Sequence, residues 1–68
     1  MDEDMLEALM HLSPEQRTAV VLHYLEGYKL REIAAMLDLS ANTVKSRLMY
    51  ARIYLKQSLL RSENERRG

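Results

Sequence analysis

The chain has 68 residues, enough for one domain, and a domain this small buries only about 60% of its unfolded surface. With no cysteine and no long apolar run, disulfide frameworks and thiolate metal sites are excluded, as is a span of the roughly 20 residues that cross a bilayer. Ten bases cancel ten acids, yet residues 1–37 carry seven acids against three bases and residues 38–68 seven bases against three acids, which turns the second half toward phosphate.

The N-terminus, Met1-Asp2-Glu3-Asp4, is acidic, where a secretory signal starts basic. The expectation is a soluble cytoplasmic protein with no membrane association. A first helix is predicted over about residues 2–11, with Met5, Leu6, Leu9 and Met10 at helical spacing and acids in its first turn, where they suit the helix dipole.

Ser13-Pro14-Glu15-Gln16 opens a second helix. It puts serine at the N-cap, proline at the first helical position and glutamine three residues after the cap. This helix is predicted to run to about Leu25 and to close at Gly27, which accepts left-handed backbone. Its middle, Ala19-Val20-Val21-Leu22, is apolar on almost every side. Such a helix is central, or keeps a second face for a partner.

Leu30, Ile33, Ala34 and Leu37 form one helical stripe over residues 30–37. Asp38-Leu39-Ser40 interrupts it with a residue that tolerates positive φ and a good N-cap. A fourth helix follows over about 41–60, with Val44, Leu48, Ala51, Leu55 and Leu59 on its inner face. Residues 62–68 are charged, lack an apolar anchor and are expected to fray as a tail to a 1–61 domain. There is no internal repeat and no linker.

The predicted fold class is therefore all-α, four helices ending in a helix-turn-helix formed by 30–37 and 41–60. Ala34 is small where two helices cross, Leu39 can plug the corner, and Val44 and Leu48 face back. Between these lie the polar side chains Asn42, Thr43, Lys45, Ser46 and Arg47. In a helix-turn-helix the second helix enters the major groove with its N-terminal residues at base edges.

Glu32-Ile33-Ala34-Ala35-Met36-Leu37, then Ser40 and Thr43-Val44-Lys45-Ser46-Arg47-Leu48, resembles sigma factor region 4, especially the extracytoplasmic-function group. Leu12 to Arg17 and Val21 to Tyr28 are similar to that family's preceding helix and glycine break, so the likeness covers about residues 6–60. Two departures bear on the promoter sequence preferred: Asn42 stands where the family often has glycine, and Tyr50 where it often has a basic residue. The resemblance implies a module that reads the promoter −35 element in double-stranded DNA while docking on the β flap of RNA polymerase core, and that an anti-sigma factor can cover. The base-facing candidates are then Asn42, Lys45, Ser46 and Met49. Ser40, Thr43, Arg47, Tyr50 and Arg52 are the candidates for phosphate. Ser40 would act with the free amides of the helix start.

Each candidate has a plainer reading. Lys45 and Arg47 suit a solvated helix face, Met49 and Tyr50 could pack on the first helices, and Arg66 and Arg67 suit a charged tail. The five methionines read as adaptable core filler. His11 and His23 stand 12 residues apart without carboxylates arranged around them, so no metal is expected. Nothing resembles a nucleophile with its base or a Gly-rich phosphate loop, so neither a cofactor nor enzymatic activity is expected. Complete sigma factors also carry a −10-reading region, absent here, so the expectation is an excised domain or a separate subunit. Two alternatives remain open: a dimeric regulator of the response-regulator type, and a protein-interaction module held mainly by an anti-sigma factor or the flap.

Overall fold

A computed structural model of the chain describes residues 3–67; Asp2, the expected start of the first helix, and Gly68, the end of the expected tail, lie outside the described residues. The α-helices are α1 (Glu3–His11), α2 (Pro14–Val20), α3 (Leu30–Leu37) and α4 (Ala41–Arg67), with a π-helical turn at Val21–Leu25 continuing α2. The described residues contain no strand, so the all-α expectation holds.

Local chemistry sets the boundaries. Ser13 has extended backbone; its Oγ accepts from the Gln16 N–H at 3.1 Å, and Gln16 Oε1 accepts from the Ser13 N–H at 3.2 Å. This reciprocal box satisfies donors that a helix start leaves open. The end of α1 is closed from outside itself. Arg17 on α2 donates from Nε to the Leu9 carbonyl at 3.0 Å and from Nη2 to the carbonyls of Met10 and Leu12 at 3.2 and 3.0 Å.

Past Val20 the hydrogen-bond ladder widens, where the apolar periodicity predicts a plain α-helix. The Glu26 N–H reaches the Val21 carbonyl at 3.0 Å, and the Tyr28 N–H reaches that of Leu22 at 3.0 Å. The wide turn seats Leu22 against the core and brings His23 alongside α4. Gly27 then reverses the chain at φ +80°, a conformation open to glycine at little cost.

The core joins Leu9 and Leu12 to Ala19 and Val20, Ile33 and Ala34, and Val44, Leu48 and Ala51. Ile33 and Val44 are fully enclosed. On α1 the buried face differs from the expected one. Ala8, Leu9 and Leu12 are buried with Met5 beside them, whereas Leu6 and Met10 are exposed. Steps of three, four and seven from Met5 give one stripe, and Leu6 and Met10 fall off it. Met36 and Met49 are exposed as well, which corrects the reading of the methionines as core filler.

The expected end of α4 at residue 60 is also corrected, because the helix continues to Arg67. Residues 61–67 contain no glycine or proline. Arg67 pairs with Glu63 one turn back at 2.9 Å, and Arg66 reaches Asp4 on α1 at 2.5 Å. Those contacts supply what the missing apolar anchor does not.

Candidate nucleic-acid interface

The turn between α3 and α4 aims the second helix. Asp38 takes left-handed backbone (φ 57°, ψ 48°). The Leu39 N–H then bonds the Ala34 carbonyl at 2.8 Å and the Asp38 N–H that of Ala35 at 3.4 Å, the double closure of a helix ended by a left-handed residue. Leu39 packs on the core and Ala34 is buried at the crossing, as their sizes predict. Ser40 opens α4: its Oγ accepts from the Thr43 N–H at 3.1 Å and lies 2.9 Å from Thr43 Oγ1. Both hydroxyls are thus engaged in the cap.

Val44, Leu48 and Ala51 bury one side of α4. At about 100° per residue, the opposite side carries Asn42, Ser46, Met49 and Ile53 within about 60° of one another. All four are exposed. Three are among the sequence-predicted base-facing residues. Ile53, 49% exposed, was missed; its spacing of four from Met49 was the available signal, masked by its apolar character.

The remaining candidates divide between two flanks. Lys45 and Arg52 lie within about 20° of each other on one edge, both exposed. Arg52 Nη1 donates to the Tyr24 hydroxyl at 3.2 Å. Lys45 therefore sits at the rim of the outer stripe, on the same edge as Arg52. Thr43, Arg47 and Tyr50 occupy the other edge. Tyr50 is exposed, whereas Thr43 and Arg47 are half-buried. Arg47 lines a shallow cavity with Pro14, Glu15, Thr18, Leu37 and Leu39, so its aliphatic stem covers the turn. A central stripe between two cation-bearing edges has the layout of a groove-reading helix between two phosphate backbones.

The basic second half is not uniformly available to DNA. Arg66 and Arg67 are paired with Asp4 and Glu63, and Arg61 lines a polar cleft with Asp4, Glu7 and Glu65. Lys45, Arg47, Arg52 and Lys56 have no carboxylate partner within the described residues. On another face, Met5, Leu9, Val20, Tyr24, Leu25 and Leu55 line an apolar groove of about 450 Å³, with Arg52 at its lip. No helix among the described residues is long and apolar enough to cross a membrane.

Residues 2–55 match the family described as Sigma-70, region 4. The chain is 38% identical over 64 residues to the RNA polymerase sigma-E factor of Streptomyces coelicolor, covering 94% of this chain and 36% of that protein. It is 46% identical over 52 residues to the ECF RNA polymerase sigma factor SigM of Mycobacterium tuberculosis, covering 76% and 26%. With the ECF RNA polymerase sigma factor SigE of Mycolicibacterium smegmatis the identity is 40% over 62 residues, covering 91% and 24%. The chain thus spans about a quarter to a third of the length of these relatives.

Proposed function

Because this chain belongs to the sigma-70 region 4 family, we propose that it recognises the promoter −35 element as the region 4 module of a sigma factor, directing transcription initiation with RNA polymerase in the cytoplasm. The observation that carries the reading is the exposed stripe of Asn42, Ser46 and Met49 on the first turns of α4, bordered by cations on both edges. Asn42, Ser46 and Met49 face base edges, and Lys45 reaches in from the rim. Ser40, Thr43, Arg47, Tyr50 and Arg52 hold phosphates and so set register without reading sequence. The task is binding, with no catalytic step.

The apolar groove supports a second contact within the same function. It lies between α1, α2, the π turn and Leu55 of α4, and shares only Arg52, at its lip, with the proposed DNA face, so protein and DNA can be held together. We assign it to the β flap of the polymerase core, and to an anti-sigma factor when the module is held inactive. Residues 1–61 are the working unit, since every buried core residue falls between Ala8 and Ala51.

The test is a low-salt anisotropy titration against a duplex library randomised over about seven base pairs, with and without a β-flap fragment. The expected result is a short asymmetric motif, bound more tightly with the flap present. A palindrome bound by two copies would instead indicate a dimeric regulator. Tight flap binding without any sequence preference would make protein docking the main role.

A further inference from the structure

We infer that His23 is a proton-gated phosphate ligand, which takes up a proton on duplex DNA and completes, with Arg52, a seat for one backbone phosphate beside Lys45. The inference rests on the DNA-binding reading above and adds to it a residue outside the helix-turn-helix. His23 belongs to the π turn, yet it lines one cavity of about 240 Å³ with Lys45, Met49 and Arg52 of α4 and Leu30 of α3. No carboxylate lines that cavity. Two cations and an imidazole therefore converge at the rim of the proposed reading helix.

The chemistry follows from one hydrogen bond. His23 Nδ1 lies 2.8 Å from the Tyr28 carbonyl oxygen. A carbonyl only accepts, so Nδ1 carries a hydrogen whether the ring is neutral or charged. In the neutral ring Nε2 is then a lone pair, which cannot donate to a phosphate oxygen. In the imidazolium it is an N–H, which can. Nε2 has no partner among the described residues and is not buried without one. The ring is steadied by edge-to-face contact with Tyr24 (centroids 4.8 Å apart, 72° between planes), whose hydroxyl in turn accepts from Arg52.

The charged or titratable residues that line the cavity or contact the ring are Tyr24 on the same turn, Tyr28 through its carbonyl, and Lys45 and Arg52 on α4; α3 contributes Leu30 to the lining. A phosphate oxygen seated beside Nε2 favours the charged ring: solvent supplies a proton to Nε2, and a charge-assisted N–H···O bond forms. The bound state thus holds more protons than the free state. By linkage, affinity is highest where histidine is protonated and falls as pH rises through its range of about 5 to 8.

A phosphate contact is blind to sequence, so the test uses a mixed-sequence duplex. Anisotropy titrations across salt at about pH 6 and about pH 8 are expected to show roughly 3- to 10-fold tighter binding at the lower pH. The slope of log affinity against log salt is expected to be steeper there by about 0.9, the signature of one added phosphate contact. H23Q should bind alike at both pH values with the shallower slope, H23R should keep the steeper slope at both, and H11Q should respond as the unmodified chain does. Far-UV circular dichroism verifies folding under each condition, and H23R carries the comparison if H23Q unfolds. Equal affinity of the unmodified chain at both pH values, or a pH response surviving in H23Q, overturns the inference and leaves the DNA reading standing. No binding of any duplex by folded protein removes both.

Discussion

At Lys45 and Ser46 two neighbouring side chains are given different parts of one task. Ser46 stands in the middle of the exposed stripe of α4 with a short hydroxyl, and Lys45 stands at its rim with a long stem. Both are proposed to touch base edges, where a good contact contributes about 1–3 kcal/mol of discrimination. Lys45→Ala and Ser46→Ala should therefore bring the affinities of the best site and its single-base variants closer together by about that amount. Arg52→Ala should lower affinity for all of them alike and flatten the salt slope by about one contact. Competition titrations over a panel of duplexes separate the two patterns. Uniform losses for all three variants would end the base-reading assignment.

Among the elements, α1 depends on a neighbour for its last turn. Its Leu9 and Met10 carbonyls, and that of Leu12 just beyond it, are met by the Arg17 guanidinium from α2, while the start of α2 is closed by its own Ser13–Gln16 box. One side chain thus joins two helices that share a short connection. Hydrogen bonds to a charged group contribute about 1.5–3 kcal/mol each when the partner cannot easily rehydrate. The Arg17 side chain is only half-buried, so water recovers part of that. Arg17→Met keeps much of the stem and should destabilise the fold by about 1–2 kcal/mol. A urea transition followed by circular dichroism reads this directly, and an unchanged midpoint would show that α1 does not rely on the bridge.

For the molecule as a whole, one long helix carries the architecture. At about 1.5 Å per residue α4 spans about 40 Å, close to the longest dimension of 44 Å. Its first turns present the groove-facing stripe, its middle supplies Val44, Leu48 and Ala51 to the core, and its end meets α1 through Arg66 and Asp4. So small a core leaves little reserve, a few kcal/mol for a chain of this size. Ile33→Ala removes a fully enclosed side chain and should cost about 2–5 kcal/mol, enough to abolish a cooperative melt near room temperature. Leu6→Ala, at an exposed position of α1, should stay within about 0.5 kcal/mol of the parent. Comparable melts for both would mean that the core is not where the structure puts it.

What the sequence determined by itself was written in short-range chemistry. Ser13 with Gln16, Gly27, Asp38 and Ser40 announce helix ends because each acts on backbone within a few residues, and the structure places all of them as expected. The stripes of α3 and of the first half of α4 were legible for the same reason, since one period of 3.6 governs them. The candidate site was legible in kind, through the polar run from Asn42 to Arg47. Tertiary structure decided the rest. Which stripe of α1 is buried depends on the side it turns toward the rest of the core, so Leu6 and Met10 fell outside. The end of α4 meets α1 where Arg66 pairs with Asp4, far away in the chain. The convergence of His23 with Lys45 and Arg52 requires a π turn that no local residue pattern announces. Short-range backbone chemistry is readable one turn at a time, but contacts between distant turns exist only once the helices have packed.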